Sequence, residues 1–314
     1  MRAQARRRVT LGACSARCFA ASQREEQDMS KVTYEKDGRI ARITLNRPQV
    51  MNAIDDEVPV LLEQAVQRAD ADDGVHVIVL AGVGEAFCAG YDLKYYAEGN
   101  GNGQATQDMP WDPIQDYRFM WKNTQHFMAL WRALKPVVAK VHGFAVAGGS
   151  DIALCCDFVV MGDTARIGYM PTRVWGCPTT AMWVYRLGAE RAKRMLFTGD
   201  KITGREAAEM GLVLKSVPDD LLDEEVEALA ARMAGVPINQ LAMQKLVINQ
   251  AIEAQGLMNT QRLATIFDGI TRHSPEGLNF KARAEAVGWK QAVAERDAGT
   301  WDWTENGPIP GANR

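Results

Sequence analysis

The chain has 314 residues, 47% apolar and 24% charged, with a formal net charge of -3, which is material for one large domain or two modest ones with a full core. The slightly acidic balance, with no basic stripe interleaved with aromatics, argues against a nucleic-acid partner. No apolar run approaches the roughly 18–20 residues of a membrane-spanning helix, so no membrane is expected.

In chain order, the first stretch stands apart: Arg2, Arg6, Arg7, Arg8, Arg17 and Arg24 precede any acidic residue and lie among Ala, Ser and Thr. This is the composition of an organelle transit peptide. The competing and preferred reading is an over-extended start, with translation beginning at Met29, and residues 1–30 are set aside from the fold. Residues 32–34 and 39–45 read as strands joined through Asp37-Gly38, a hairpin signal. Asn46-Arg47-Pro48 ends the second, and 55–69 has the spacing of an amphipathic helix. Residues 75–80 form a short β-branched run suited to a buried strand, closed by Gly82-Val83-Gly84. Residues 98–113, with several Gly, Asn and Gln and two prolines, read as a long mobile surface loop.

A helix is predicted over 114–134, a buried strand over 137–141, a glycine turn over 143–149, a helix from about Ser150, and a strand over 158–161. Strand and helix alternate, so the fold class is α/β with mostly parallel pairing. From about Asp219 the strands stop, and 219–233, 238–254, 260–270 and 275–296 carry helical periodicity. The division near Val217-Pro218 separates a 31–218 core from a 219–314 helical region. The six cysteines (Cys14, Cys18, Cys88, Cys155, Cys156, Cys177) lack the paired spacing of a zinc site and read as free thiols in a reducing compartment.

Two segments invite a chemical reading. Ala86-Phe87-Cys88-Ala89-Gly90-Tyr91-Asp92-Leu93 follows a buried strand and packs small residues around Gly90, where backbone can approach a ligand. His142 to Asp151, with Gly143, Gly148 and Gly149, is a glycine turn between strand and helix, and a helix start offers unpaired N–H groups. Two such turns facing each other would give two donors to one developing oxyanion. Neither has the spacing of a phosphate loop or a dinucleotide fingerprint, and tight packing alone explains either one taken singly.

Together, and with Leu45-Asn46-Arg47-Pro48, Asn52-Ala53, Lys135-Pro136-Val137-Val138-Ala139, Leu196-Phe197-Thr198-Gly199 and 207–213, these segments resemble the crotonase (enoyl-CoA hydratase/isomerase) superfamily. The resemblance spans about Val32 to Met233. It implies a superhelical core of repeated ββα turns, a helical C-terminal region, and homotrimers that can pair into hexamers. It implies an acyl-CoA substrate whose thioester oxygen sits on the N–H groups of Ala89 and Gly148, with Ala89, Gly90, Tyr91 and Asp92 lining the coenzyme A site. No metal or redox cofactor is expected, coenzyme A arriving as part of the substrate.

The family's hydratases use two glutamates. The first position falls on Asp151 and the second on Thr172, and no acid lies between Gly168 and Ala189 to replace it. A threonine hydroxyl can orient a water but cannot take its proton at neutral pH. Asp151 is therefore the expected acid/base, with capping of its own helix as the structural alternative. Other candidates carry mainly structural readings: Asp92 bracing its loop, His142 in a turn, Cys177 an inert thiol. Tyr169, Arg173 and Trp175 could serve pocket or packing, and Tyr95, Tyr96 and Trp111 could cap an acyl chain or anchor the long loop. Hydration of an enoyl-CoA is the leading expectation. Isomerisation, thioester hydrolysis or carbon–carbon cleavage on the same enolate platform, and a non-catalytic coenzyme A scaffold, are the alternatives.

Overall fold

The computed structural model describes residues 30–99 and 106–310. The Arg-rich stretch, Cys14, Cys18 and the centre of the expected 98–113 loop lie outside the described residues.

Strands β1 (Val32–Asp37) and β2 (Ile40–Leu45) form the expected hairpin, with Gly38 in the left-handed region at φ 56° that the turn requires. On β2 the alternate residues Ala41, Ile43 and Leu45 are buried, the period-two signature of a strand with one face turned into the core. Helix α1 (Val58–Ala71) leads to β3 (Val77–Gly82), and α2 (Pro113–Arg132) leads to β4 (Val137–Val141). Then come β5 (Phe144–Val146), α3 (Gly148–Cys155), β6 (Phe158–Gly162), β7 (Arg166–Gly168), α4 (Met182–Thr198), β8 (Lys201–Thr203), α5 (Gly204–Glu209) and β9 (Lys215–Val217). Four longer helices follow: α6 (Leu222–Ala234), α7 (Ile238–Glu253), α8 (Leu257–His273) and α9 (Pro275–Val287). Helix α10 (Trp289–Ala298) and a two-residue hairpin of β10 (Trp301–Asp302) and β11 (Gly307–Pro308) end the described chain.

The main sheet runs β1-β2-β3-β4-β6-β9, parallel from β2 onward, and a smaller sheet runs β5-β7-β8. Strand β5 follows β4, and β7 follows β6, after two or three turn residues, so successive turns of chain add one strand to each sheet before a helix closes the turn. Bridges Ile54↔Tyr91 and Cys88↔Ala145 add the earlier turns to the small sheet. This is the repeated ββα core the resemblance implied. Both faces of the main sheet are covered. Ile78, Leu80, Val137 and Ala139 point into the principal core with α1, α2 and α3, while Val77, Val79, Val138 and Val160 pack on Leu222, Val226 and Leu229 of α6.

Three expectations need correction. The 143–149 stretch is not all turn, because Phe144-Ala145-Val146 pairs with Cys88 on one side and β7 on the other. A three-residue strand is too short for periodicity to show. The 275–296 helix is two helices, broken at Gly288 with φ 86°. The strands do not wholly stop at Asp219, since β10 and β11 pair beyond it. No helix among the described residues is long and apolar enough to cross a membrane.

The helical region is tied to the sheet by a buried ion pair. Lys245 Nζ of α7 donates to Asp157 Oδ2 at 2.7 Å and to the carbonyls of Leu130 and Lys135, while Asp157 also accepts the Val137 N–H at 2.7 Å. Burial pushes the Asp157 carboxyl above its usual range, so its charge depends on the lysine opposite. Replacing Lys245 with Met should cost about 3–5 kcal/mol, the usual result of leaving one buried charge without its partner. Urea unfolding would show it as a lower midpoint with an unchanged slope, and a loss under about 1 kcal/mol would mean that the pair does not hold α7 in place.

Candidate active site

The two glycine turns meet. Cys88 N–H donates to the Phe144 carbonyl at 2.9 Å, and Val146 N–H donates back to the Cys88 carbonyl at 3.1 Å. The approach demands glycine at two places. A methyl at Gly149 would lie 2.2 Å from the Cys88 carbonyl oxygen, and one at Gly90, whose φ is 88°, would lie 2.7 Å from Ala147 Cβ. The first turn is braced by Asn52, whose side chain donates to the carbonyls of Val83 and Ala86 at 2.9 and 2.7 Å. The second is forced. Ala147 precedes α3 at φ 50°, ψ -127°, a conformation that costs a non-glycine residue roughly 1–3 kcal/mol.

A cavity of about 870 Å³ opens beside this seam, lined by Ala89, Tyr91, Gly148, Asp151 and Tyr169 and closed by residues of the C-terminal helices. Gly148, at the first turn of α3, has an N–H with no acceptor among the described residues. The N–H of Ala89 donates to the Met51 carbonyl at 3.0 Å, so a ligand oxygen there would share or displace that bond. Asp92 does brace its surroundings: its carboxylate meets Arg47 at 3.3 Å and the Tyr95 N–H at 3.4 Å. The Tyr91 ring abuts Gly148, and its buried hydroxyl meets the Asn123 amide only outside hydrogen-bond geometry.

Asp151 is 3% exposed, lines the cavity, and accepts a 2.6 Å bond from the Thr180 hydroxyl, so it does not cap its helix. Burial pushes its carboxyl up to about 8, with the Asp268 charge adding and the Thr180 hydroxyl opposing. At neutral pH it carries a proton and can act as an acid. Thr172 is turned away, its hydroxyl donating to the Leu196 carbonyl, and it does not line the cavity. The water-orienting role open to it in sequence is therefore not available.

Of the other candidates, Tyr169, Trp175 and Tyr96 line the cavity, with the Tyr96 hydroxyl donating to Asp56 at 2.6 Å. Tyr95 also donates to Asp56, at 3.0 Å. Arg173 bonds to the Thr198 and Asp297 carbonyls, His142 to the Gly84 carbonyl, and Trp111 stacks on His273 at 4.2 Å. Cys177 is no nucleophile at neutral pH, because burial pushes its thiol up to about 12.

Sequence reasoning missed Asp268, a carboxylate of α8 that is 3% exposed and lines the same cavity. It accepts the Cys177 N–H at 2.9 Å and pairs with Arg272, which also bonds to the buried Asp116. A signal existed. Gln261, Thr265, Asp268 and Arg272 recur at helical spacing and are all buried, whereas Leu263, Ile266, Phe267 and Ile270 on the opposite face are exposed. A helix with its polar stripe inward and its apolar stripe outward reverses the usual pattern.

With this geometry in view, residues 35–290 match the family model described as enoyl-CoA hydratase/isomerase. A solved structure of an enoyl-CoA hydratase from Mycobacterium smegmatis is 47% identical, covers 86% of this chain and 94% of its own, and superposes with a TM-score of 0.81. An enoyl-CoA hydratase/isomerase structure from Xanthobacter autotrophicus is 30% identical over 86% of this chain and 98% of its own, with a TM-score of 0.78. The 2,3-dehydroadipyl-CoA hydratase of Escherichia coli is 31% identical over 80% of this chain and 95% of its own.

The raised Asp151 carboxyl makes the stability of the fold depend on pH. The folded carboxyl titrates at about 8 and its ordinary value is 3.8, so between these the unfolded chain releases a proton that the folded chain keeps. Stability therefore falls as pH rises through that window, by up to about 1.4 kcal/mol per pH unit. Around Asp151, Asp268, Tyr91, Tyr169, Cys155 and Cys177 interact with its charge, and Thr180 bonds to it. Asp151→Asn has no proton to keep, so its stability advantage in urea should be small at pH 5 and grow by a few kcal/mol at pH 8. An advantage that does not change with pH would mean that Asp151 is ionised in the folded protein.

Proposed function

The chain belongs to the enoyl-CoA hydratase/isomerase family, and we propose that it adds water across the C2=C3 double bond of an enoyl-CoA. The observation that carries this reading is the placement of the buried Asp151 carboxyl in the same cavity as the unpaired Gly148 N–H. The thioester oxygen binds the Gly148 N–H at the positive end of α3, and the Ala89 N–H joins it as the Met51 carbonyl yields. Negative charge grows on that oxygen as water adds to C3. Asp151 then gives its proton to C2, which restores the carbonyl, and the proton lost by the water that has bonded to C3 returns to Asp151. Ala89, Tyr91 and Asp92 line the cavity and border the coenzyme A portion, with Gly90 setting the turn between them, and Lys94, Lys201 and Lys290 along the lining suit its phosphates. The chemistry draws on no metal or redox group.

One observation favours a second reading. Thr172 is committed to the Leu196 carbonyl, so the family's second acid position supplies nothing, and a single carboxyl can move a proton between C2 and C4. Double-bond isomerisation is thus the alternative. A scaffold without turnover is disfavoured, because such a protein has no use for the strained Ala147 that sets the Gly148 N–H.

The working unit in this reading is a homotrimer, able to pair into a hexamer. Its support is the exposed apolar surface of α7 and α8, where Leu246, Val247, Ile248 and Phe267 are 48–69% exposed, more than an isolated monomer keeps. The location is cytoplasmic if translation starts at Met29 and mitochondrial if the Arg-rich stretch serves as a transit peptide.

Two measurements test these proposals. Wild type should consume the conjugated enoyl absorbance of crotonyl-CoA and of a longer enoyl-CoA, with Asp151→Asn slower by about 100-fold or more and still binding acyl-CoA. Absence of turnover in wild type, with binding intact, sinks hydration and brings isomerisation forward. In sedimentation velocity, wild type should run as three chains or a multiple, and Val247→Glu combined with Phe267→Glu as a monomer. A monomeric wild type overturns the trimer.

A further inference from the structure

Two buried carboxylates face one cavity: Asp151 from α3 and Asp268 from α8. Asp268 is anchored on both oxygens, one of its partners, Arg272, also lining the cavity. One oxygen accepts the Cys177 N–H at 2.9 Å and the other pairs with Arg272. Arg272 is held in turn by Asp116, which lies on α2 and outside the cavity lining. A carboxylate oxygen has two acceptor sites, so each anchored oxygen keeps one free, and anchoring fixes its direction without exhausting it.

A third polar residue stands with these carboxylates. Tyr91 lines the same cavity, and its buried hydroxyl, beside the Asn123 amide but outside hydrogen-bond geometry, interacts electrostatically with both Asp151 and Asp268. The Tyr169 hydroxyl and Asp268 Oδ1, both beside Gly176, complete the polar end of the cavity.

We propose that Asp268 is the second carboxylate of the hydration reaction, holding the water that adds to C3 and accepting its proton. The proposal rests on the hydratase reading above. The step balances. An O–H bond of the water breaks, its proton goes to Asp268, and the oxygen bonds to C3. The C2=C3 electron pair moves toward the thioester oxygen, and C2 then takes the proton of Asp151. Asp268 ends protonated and Asp151 ionised. One proton passing from the first to the second across the cavity restores both, and the substrate has gained H and OH. The family's position for a second acid is thus empty at Thr172, and a residue from a different helix fills the role.

A purely structural Asp268 would support the fold and Asp151 alike, so the test separates the two proton steps. Wild type, Asp268→Asn, Asp268→Glu and Asp151→Asn, each as the full chain, are compared in hydration of crotonyl-CoA and in exchange of the C2 protons of butyryl-CoA in deuterium oxide at pH 8. Butyryl-CoA affinity and a thermal melt report on the fold. Asp268→Asn should lower kcat for hydration by about 100-fold or more, with KM within threefold and C2 exchange within threefold of wild type. Asp151→Asn should lose both reactions. Asp268→Glu keeps a carboxylate for Arg272 and moves its oxygens by roughly 1 Å, so it should lose tenfold or more in kcat with exchange intact. It carries the test alone should the Asn variant not fold.

Hydration within threefold of wild type in either Asp268 variant overturns the proposal. Loss of exchange in step with hydration also overturns it, since Asp268 would then act only through Asp151 or the fold. A wild type that exchanges C2 protons without hydrating crotonyl-CoA refutes the hydratase reading itself, and this inference falls with it.

Discussion

The structure turns on the backbone seam between Cys88 and the 144–149 segment. Two hydrogen bonds, Cys88 N–H to Phe144 and Val146 N–H to Cys88, fix two turns that come from separate ββα repeats. Gly149 and Gly90 are required because side chains there would occupy the space of the opposing backbone. Once the seam is set, Ala147 is held in a conformation it would not choose, and α3 must begin at Gly148 with its N–H facing the cavity. Asp151 follows less than one turn later, so the same helix start places both the N–H donor and the carboxyl. The strain at Ala147 is offset by a seam that loosening would unmake.

The cavity's electrostatics follow from burial. Asp116, Asp268 and Arg272 form a buried group with two carboxylates and one guanidinium, and burial pushes Asp116 up to about 6 against the pull of Arg272. Above that pH the group carries a net negative charge. A further carboxylate nearby, Asp151, is then held in its neutral form by burial and by the Asp268 charge together. Burial and the Asp268 charge thus keep the Asp151 carboxyl above the ordinary carboxylate range, which suits it to give a proton.

Much of this was legible in the sequence and the rest was hidden for physical reasons. Residues 137–141 and 238–254 announce themselves through buried β-branched runs and helical spacing, and the structure places β4 and α7 there within a residue. Strands β5, β7 and β8 have three residues each, less than two periods of alternation, and their pairing partners lie far along the chain. Helix α5 did carry a local sign, the Thr203–Glu206 capping box. In the site, Asp151 could be found from its place after Gly148-Gly149. Asp268 could not be tied to it by spacing, because only tertiary packing brings α8 over the cavity. Thr172 shows the converse: its position was readable, but the direction of its hydroxyl was not.

Helix α8 joins these arguments. Its inward stripe is polar, and each buried member is engaged: Gln261 donates to the Thr180 carbonyl at 2.9 Å, Thr265 to the Gln261 carbonyl at 2.8 Å, and Asp268 and Arg272 pair. Thr180 in turn donates to Asp151, so the helix reaches one carboxyl through that residue and supplies the other itself. A stripe of this kind contributes little hydrophobic stabilisation, since satisfied polar groups roughly exchange water for protein partners. The apolar residues that would ordinarily secure such a helix lie on its outer face, with Leu263, Ile266, Phe267 and Ile270 at 44–52% exposure. Burial of that face against another copy would therefore hold α8 down, and with it Asp268. In the proposed homotrimer, assembly and the polar end of the cavity would depend on opposite sides of one helix, so a change that weakens the first should be felt in the second.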